Sequence, residues 1–225
     1  MGIVGRDDAH AEYLQLPAQN LIEVPENVSD EEAVFVEPLA AACRIAEQIP
    51  INRSTKVSII GDGKLGLLCA MTTILSSENV LLVGKHPEKL AIAGDVGVES
   101  ILLDRVAESR HRSFDVVIEA SGSESGFATA LDLVKPRGKI VLKSTFHGTP
   151  TWAAARVVVD EIMIIGSRCG RFAPALELLV DAKVNVSRLI SEDATLAGCR
   201  GHGTSQQRRR TKGSANALEQ QHELI

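Results

Sequence analysis

The chain has 225 residues, of which 44% are hydrophobic, so it can bury the core of at least one good-sized domain. A formal net charge of -5 and an aromatic content of 3% argue against a nucleic-acid-binding surface, which needs basic patches and stacking side chains. The sequence contains no apolar stretch long enough for a membrane helix and no signal-peptide core near Met1, which predicts a cytoplasmic protein without a membrane partner.

Residues 1–53 precede the main pattern of strands and helices. Ser29 and Glu32 have the spacing of a capping box, which predicts the start of a helix. Proline is not tolerated inside a helix, so we expect one short helix to end at Glu37 and another to begin at Pro38.

The most informative motif is the hexapeptide GDGKLG at residues 61–66, which follows a strand-like run at 57–60 and opens an apolar-periodic helix. In a dinucleotide-binding loop the first glycine makes the turn, the second lets the backbone approach the diphosphate, and the third allows close helix packing. The start of the helix then offers N–H groups and the positive end of its dipole. The motif predicts a diphosphate site at Gly61, Gly63, Lys64, Leu65 and Gly66. A glycine turn that binds nothing is the alternative.

Continuous apolar runs recur after this loop, as is typical of strands that helices cover on both faces. They lie at residues 80–83, 101–103, 116–118, 140–142 and 162–165. Helical patterns separate them, including Phe127, Leu131 and Val134, and later Phe172, Leu176 and Leu179. Six strands with intervening helices predict an α/β fold, a doubly wound six-stranded parallel sheet that occupies residues 54–192.

The end of the second predicted strand bears on the choice of dinucleotide. NAD-binding loops are followed about 20 residues later by an acidic residue that binds the ribose hydroxyls. Gly84 holds that place here, and Lys85 and His86 follow it. A glycine beside a cation accepts a 2′-phosphate that an acid would repel, so we expect NADP to be favoured over NAD and add Lys85 and His86 to the site. A surface lysine and a histidine that caps the helix starting at Pro87 are the alternative.

Residues 193–225 differ in composition from the rest of the chain. Gly, Ser, Gln and Arg dominate, and apolar periodicity stops. This composition predicts a disordered tail.

Several short motifs follow one another in an order found in one enzyme superfamily. They are AEYL at 11–14, VP at 24–25, EPLA at 37–40, the glycine loop, VVIEASG at 116–122 and PRG at 136–138. From about residue 5 to about residue 191 the chain resembles the zinc-type medium-chain alcohol dehydrogenases, including their sorbitol and threonine dehydrogenase branches. The resemblance implies a Rossmann-like coenzyme domain, hydride transfer between a small alcohol or polyol and a nicotinamide coenzyme, and a homodimer formed through the last strand.

The resemblance also implies a catalytic zinc, whose Cys and His ligands lie in a preceding domain of the family. We expect this chain to lack that domain, residues 1–53 to be a remnant of it, and the catalytic residues to remain unknown. A zinc site needs at least three protein ligands, and Glu37 is the one position here that matches the metal region. The four cysteines are scattered without zinc spacing. We therefore expect zinc in full-length relatives but none in this chain, with Glu37 solvated or hydrogen-bonded.

Two further functions stay open beside the oxidoreductase. One is a catalytically silent nucleotide-binding module or truncated fragment that keeps the coenzyme sheet without a reaction centre. The other, more distant, is a methyltransferase, which also has a glycine loop after its first strand but usually an acid at the end of the second. The glycine at position 84 argues against the methyltransferase.

Overall fold

The structure is a computed structural model and describes residues 13–106, 111–145 and 153–190. Residues 24–189 form one compact unit, and residues 13–23 and 190 belong to another. In the latter, residues 13–23 contain one short 3-10 helix, Ala18–Asn20. The tail predicted at 193–225 lies outside the described residues. Within the described part of the chain, no helix combines the length and apolarity needed to cross a membrane.

The compact unit begins with the helix α1 (Asp30–Ala33), whose predicted capping box is confirmed. The Oγ of Ser29 accepts a hydrogen bond of 3.3 Å from the backbone N–H of Glu32. In return, Oε2 of Glu32 accepts one of 3.0 Å from the backbone N–H of Ser29. The two bonds satisfy backbone donors that the first turn of a helix leaves free.

The helix α2 (Val36–Gln48) corrects the expectation for Pro38. Two helices are present, but the break between them falls at Val34 and Phe35 instead of between Glu37 and Pro38. Pro38 is the third residue of α2, where the N–H group has no intrahelical acceptor, so a proline disturbs no hydrogen bond there. The first intrahelical bond is donated by Leu39 to the carbonyl oxygen of Phe35.

The predicted sheet is confirmed, with six parallel strands at or near the predicted positions. They are β1 (Lys56–Ile60), β2 (Asn79–Gly84), β3 (Glu99–Leu102), β4 (Phe114–Glu119), β5 (Val134–Leu142) and β6 (Met163–Gly166). Their order is β3-β2-β1-β4-β5-β6, so the two halves of the sheet meet between β1 and β4. In such sheets ligands bind at the carboxyl ends of the strands, where the order reverses.

The remaining helices follow individual strands. They are α3 (Lys64–Thr73), α4 (Pro87–Asp95), α5 (Leu103–Val106), α6 (Glu124–Leu133), α7 (Ala154–Val159) and α8 (Phe172–Val180). Val134, predicted on a helix, is instead the first residue of β5, because it is fully buried and pairs with Phe114 across the sheet. Leu103, predicted on a strand, begins α5.

Burial concentrates in the centre of the sheet and decreases toward β6. Val57 and Ile59 of β1 and Val117 and Ile118 of β4 have no exposed surface. At the far edge, β6 shows exposed or half-buried residues along its whole length. The turns after β1 and β4 therefore begin at the most tightly packed strands of the unit.

Candidate functional site

The glycine loop joins β1 to α3 through very close backbone contacts. Gly61 has φ +114°, and a Cβ there would lie 2.6 Å from the carbonyl oxygen of Ala120. A Cβ on Gly66 would collide with the carbonyl oxygen of Gly61. An L side chain at either position would therefore clash with backbone, whereas a Cβ on Gly63 would meet nothing within 4 Å. The open face of the loop is thus at Gly63.

Helix α3 starts at this open face. Gly63 is its N-cap residue and has no side chain that could bond the free N–H groups of the first turn. Those groups belong to Lys64, Leu65 and Gly66, of which Lys64 is exposed and Gly66 is buried. Because the helix dipole adds partial positive charge here, the turn can bind a phosphate group.

A cleft of about 330 Å³ lies at the carboxyl ends of β1, β2 and β4. Among the residues singled out from the sequence, it brings together Gly61, Gly63, Lys85 and His86. Lys64, Leu65 and Gly66 are adjacent to it in the first turn of α3 and do not line it. The lining also includes residues that the sequence did not single out for the site: Asp62, Lys89, Ser123, Ser125 and Thr129.

A larger cleft, of about 440 Å³, lies near the opposite ends of the strands, beside Lys56 and Asn79. It contains none of the glycine-loop residues. Ligands of open α/β sheets bind at the carboxyl ends of strands, so the smaller cleft is the functional candidate.

Asp62 is a firmly held charged group in the candidate cleft. Its Oδ2 accepts hydrogen bonds of 2.7 Å from the backbone N–H groups of both Lys85 and His86. The same oxygen lies 3.0 Å from Nδ1 of His86. Burial raises the pKa of Asp62, but the bonds from His86 and Lys85 outweigh it and hold the pKa below its ordinary value. The carboxylate is therefore ionised at neutral pH.

Gly84 is in direct contact with this carboxylate. A Cβ at Gly84 would lie 2.6 Å from both Cβ and Oδ2 of Asp62, so a side chain there and the Asp62 carboxylate exclude each other. His86 is the N-cap residue of α4, yet its side chain makes no capping hydrogen bond and contacts Asp62 instead. A signal for this arrangement was present in the sequence as an acid inside the loop and a glycine at the strand end.

The turn after β4 closes the cleft on the other side. Glu119 is 1% exposed, and its Oε1 accepts hydrogen bonds from the backbone N–H and the Oγ of Ser121 at 2.9 and 2.5 Å. Gly122 donates its N–H to Oγ of Ser144, which follows β5, at 2.8 Å. These bonds fix the turn beside the loop, and Ser121 lines the cleft.

Lys143 is a buried cation that the sequence reasoning missed. Its Nζ donates hydrogen bonds to the carbonyl oxygens of Ala41 and Arg168, at 2.7 and 2.8 Å, and to Oγ of Ser167 at 3.2 Å. Burial is the main cause that lowers the pKa of Lys143. Three acceptors match the three donors of an ammonium group, so Lys143 joins the end of β5 to α2 and to the turn after β6.

The described residues do not fit a zinc ion. Across 13–106, 111–145 and 153–190, no three His, Cys, Asp or Glu side chains are grouped as a metal site. Glu37 is an exposed residue in the first turn of α2. The chemistry that these residues can supply is binding and orientation of a dinucleotide.

Comparison with known proteins agrees with this geometry. The family model for zinc-binding dehydrogenases matches residues 65–182, just over half of the chain. A sorbitol dehydrogenase of Halalkalibacterium halodurans is 25% identical over an aligned length of 206, and the match covers 85% of this chain and 60% of that protein. The chain thus spans about three fifths of the length of such relatives.

Two solved structures have the same fold. A zinc-binding dehydrogenase from Sinorhizobium meliloti 1021, bound to NADP, has a TM-score of 0.76 and 24% identity, covering 83% of this chain and 59% of that one. An alcohol dehydrogenase from Escherichia coli CFT073, complexed with NADH, has a TM-score of 0.75 and 22% identity, covering 83% and 58%. Together with the family match and the glycine loop, these findings show that the chain belongs to the zinc-binding dehydrogenase family and carries its coenzyme-binding fold.

Proposed function

We propose that this chain binds a nicotinamide dinucleotide and forms part of an oxidoreductase that transfers hydride between that coenzyme and a small alcohol or polyol. The observation that carries the proposal is the open backbone at Gly63, where a helix start without a side-chain cap borders a cleft. Support for an alcohol or polyol comes from the names of relatives, such as the sorbitol dehydrogenase.

The residues divide into two roles. The N–H groups of the first turn of α3, from Lys64 to Gly66, would bind the diphosphate, with Gly61 forming the turn. Lys85 and His86 would lie beside the adenosine ribose, because they follow the strand end where that group binds. When bound, the nicotinamide supplies the hydride acceptor.

Oxidation of an alcohol also requires a group that removes the hydroxyl proton. The described residues contain no set of metal ligands, so we propose that residues outside the described part of the protein supply this group. A catalytically silent nucleotide-binding module is the second candidate, favoured by the exposure of Glu37. Coenzyme reduction with a panel of polyols in zinc-containing buffer tests the choice, because a change in absorbance would exclude the silent module.

We propose NADP(H) as the somewhat better coenzyme. Lys85, His86 and Lys89 all line the cleft near the end of β2, where a 2′-phosphate would lie. The negative charge of Asp62 opposes them.

We also propose residues 54–192 as the coenzyme-binding domain. Helix α2, which precedes this range, contacts α3 and α8 within it.

A homodimer through β6 is part of the proposal. β6 is an edge strand of the sheet, so one side of its backbone has no partner strand within the described residues. Beside it, Val158, Val159 and Met163 are 76%, 79% and 54% exposed. An apolar edge of this kind favours pairing with a second copy.

Isothermal titration calorimetry of the chain with NADP⁺ and NAD⁺ tests the coenzyme proposal. We expect saturable heat for both, with a lower Kd for NADP⁺. Thermal stabilisation by the same coenzymes gives an independent reading, because a ligand that binds only the folded state raises Tm. Absence of heat and of stabilisation with both at millimolar concentration would refute the proposed function.

A further inference from the structure

We propose that Asp62 limits the preference for NADP(H) over NAD(H), because its carboxylate binds backbone donors that a 2′-phosphate could otherwise use. The inference rests on the proposed function and concerns its ribose-binding end. Asp62 lies between the first two glycines of the loop, at a position whose residue type the glycine motif does not specify.

Two backbone donors just before α4 are bound by Asp62. The N–H groups of Lys85 and His86 converge on one oxygen of Asp62, each at 2.7 Å. These two donors stand immediately before α4, and a carboxylate from the same chain already binds them. Asp62 is 7% exposed, so the bound carboxylate is a built part of the fold.

The space at the end of β2 adjoins this carboxylate. The acid that binds the ribose in NAD-binding sheets extends from the strand end, which is Gly84 here. The space that its Cβ would fill lies 2.6 Å from Cβ and from Oδ2 of Asp62. A carboxylate from the loop therefore lies directly against the strand end, where no acid extends from the strand itself. The absence of an acid at position 84 does not leave the cleft without negative charge.

Basic side chains share the cleft with this carboxylate. Lys85, His86 and Lys89 line the same cleft, and Nδ1 of His86 is within 3.1 Å of both oxygens of Asp62. An ionised carboxylate can only accept, so Nδ1 carries the proton of this hydrogen bond. Asp62 thus engages the imidazole and two backbone donors that could otherwise bind a phosphate. Its removal frees all three and deletes a repulsive charge.

The experiment measures Kd for NADP⁺ and NAD⁺ by calorimetry at one ionic strength in the full chain and its variants. Asp62→Asn keeps the side-chain shape and removes the charge, so the preference for NADP⁺ over NAD⁺ should increase about tenfold. Asp62→Gly also frees the two backbone donors and should increase it further. In the double variant Asp62→Gly with Gly84→Asp, a carboxylate returns from the strand, and the preference should fall back to the wild-type value or below it.

Asp115→Asn is the matched control. Asp115 is also an ionised carboxylate that accepts a backbone hydrogen bond, 2.7 Å from the N–H of Lys56, but it lies at the other end of the sheet. Its variant changes the net charge equally and should leave the coenzyme preference unchanged. Circular dichroism confirms that each variant is folded, and Asp62→Asn carries the test if Asp62→Gly does not fold.

The outcomes separate the two proposals. If both coenzymes bind and neither Asp62 variant changes their affinity ratio, the specificity role is wrong and the proposed function stands. If Asp115→Asn shifts the ratio as much as Asp62→Asn does, net charge explains the effect and the specificity role is again wrong. If the wild-type chain binds neither coenzyme, both proposals fail together.

Discussion

The Nζ of Lys143 lies 2.7 Å from the carbonyl oxygen of Ala41, so a buried cation joins the carboxyl end of β5 to the middle of α2. The same atom bonds the carbonyl oxygen of Arg168, which follows β6. One side chain therefore connects three elements at the edge of the sheet that carries the candidate site. Replacement of Lys143 would remove these hydrogen bonds together.

Lys143→Met should lower the free energy of unfolding by about 1–3 kcal/mol, because it removes three hydrogen bonds that Nζ makes at a buried site. The release of a buried charge offsets part of this loss. Urea unfolding followed by circular dichroism measures the change. Lys183→Met is the control, since Lys183 is an exposed lysine paired with Asp181, and should change stability by less than about 0.5 kcal/mol. Equal stability of the Lys143 variant and wild type would show that the three bonds contribute nothing net.

Substitutions at two glycines of the loop should have different effects, one on protein stability and the other on coenzyme affinity. Gly61→Ala places a Cβ 2.6 Å from a carbonyl oxygen at φ +114°, so it should destabilise the protein by about 2 kcal/mol or more. A Cβ at position 63 would meet no protein atom within 4 Å, so Gly63→Val should hardly change Tm, whereas coenzyme affinity should fall at least tenfold, about 1.4 kcal/mol.

Gly94→Ala is the matched control for the glycine series. It lies within α4, also has nothing within 4 Å of an added Cβ, and should leave coenzyme affinity unchanged. Calorimetry and thermal melting on the three variants give both quantities. Unchanged affinity in Gly63→Val would show that the coenzyme does not approach the loop at this residue.

Most of the strands could be predicted, because a short continuous apolar run between turns is typical of a buried strand in an α/β chain. The strand position of Val134 could not be predicted, because its apolar spacing also fits a helix. Its pairing with Phe114 in the structure identifies it as a strand residue. Gly61 and Gly63 were accessible from the spacing of the glycine motif, and at Gly61 the positive φ explains the need for glycine. The role of Asp62 depends on donors more than 20 residues away, at Lys85 and His86, so the acid in the loop and the glycine at the strand end could be connected only through the fold.

Acid should destabilise the unit partly through Asp62. Hydrogen bonds hold its pKa below the ordinary value despite burial, so the folded state binds fewer protons than the unfolded state. The resulting stabilisation is complete above roughly pH 4, the ordinary value for aspartate, and is lost as the pH falls through the lower folded value. Urea midpoints at pH 7, 4 and 3 should therefore decrease less in Asp62→Asn than in wild type. An identical decrease in both would show that this carboxylate is not linked to folding.

The cysteines should differ sharply in reactivity. Burial raises the pKa of Cys69 to about 12, and its side chain is inaccessible in α3, whereas Cys169 is exposed. In a Cys199→Ser background, iodoacetamide at pH 8 should modify Cys169 first and Cys69 only after unfolding, as read by peptide mass spectrometry. Cys43 is half-buried with a raised pKa and should react at an intermediate rate. Early modification of Cys69 would indicate that α3 opens in the native state.

The edge strand offers the last prediction. If two copies pair through β6, a charge at an exposed edge position should weaken the dimer, because burying an unpaired lysine against apolar surface is costly. Met163→Lys should therefore shift the mass measured by light scattering from dimer to monomer at micromolar concentration. Coenzyme binding should persist, since Met163 does not line the cleft.

Val34→Lys controls for the added charge. Val34 is 71% exposed at the end of α1 and does not belong to the sheet, so its variant should keep the mass of the wild-type protein. A dimer that survives Met163→Lys but dissociates in Val34→Lys would transfer the interface to α1. If the wild-type protein is monomeric at every concentration, then β6, with the exposed Val158 and Val159 beside it, is not a dimer interface.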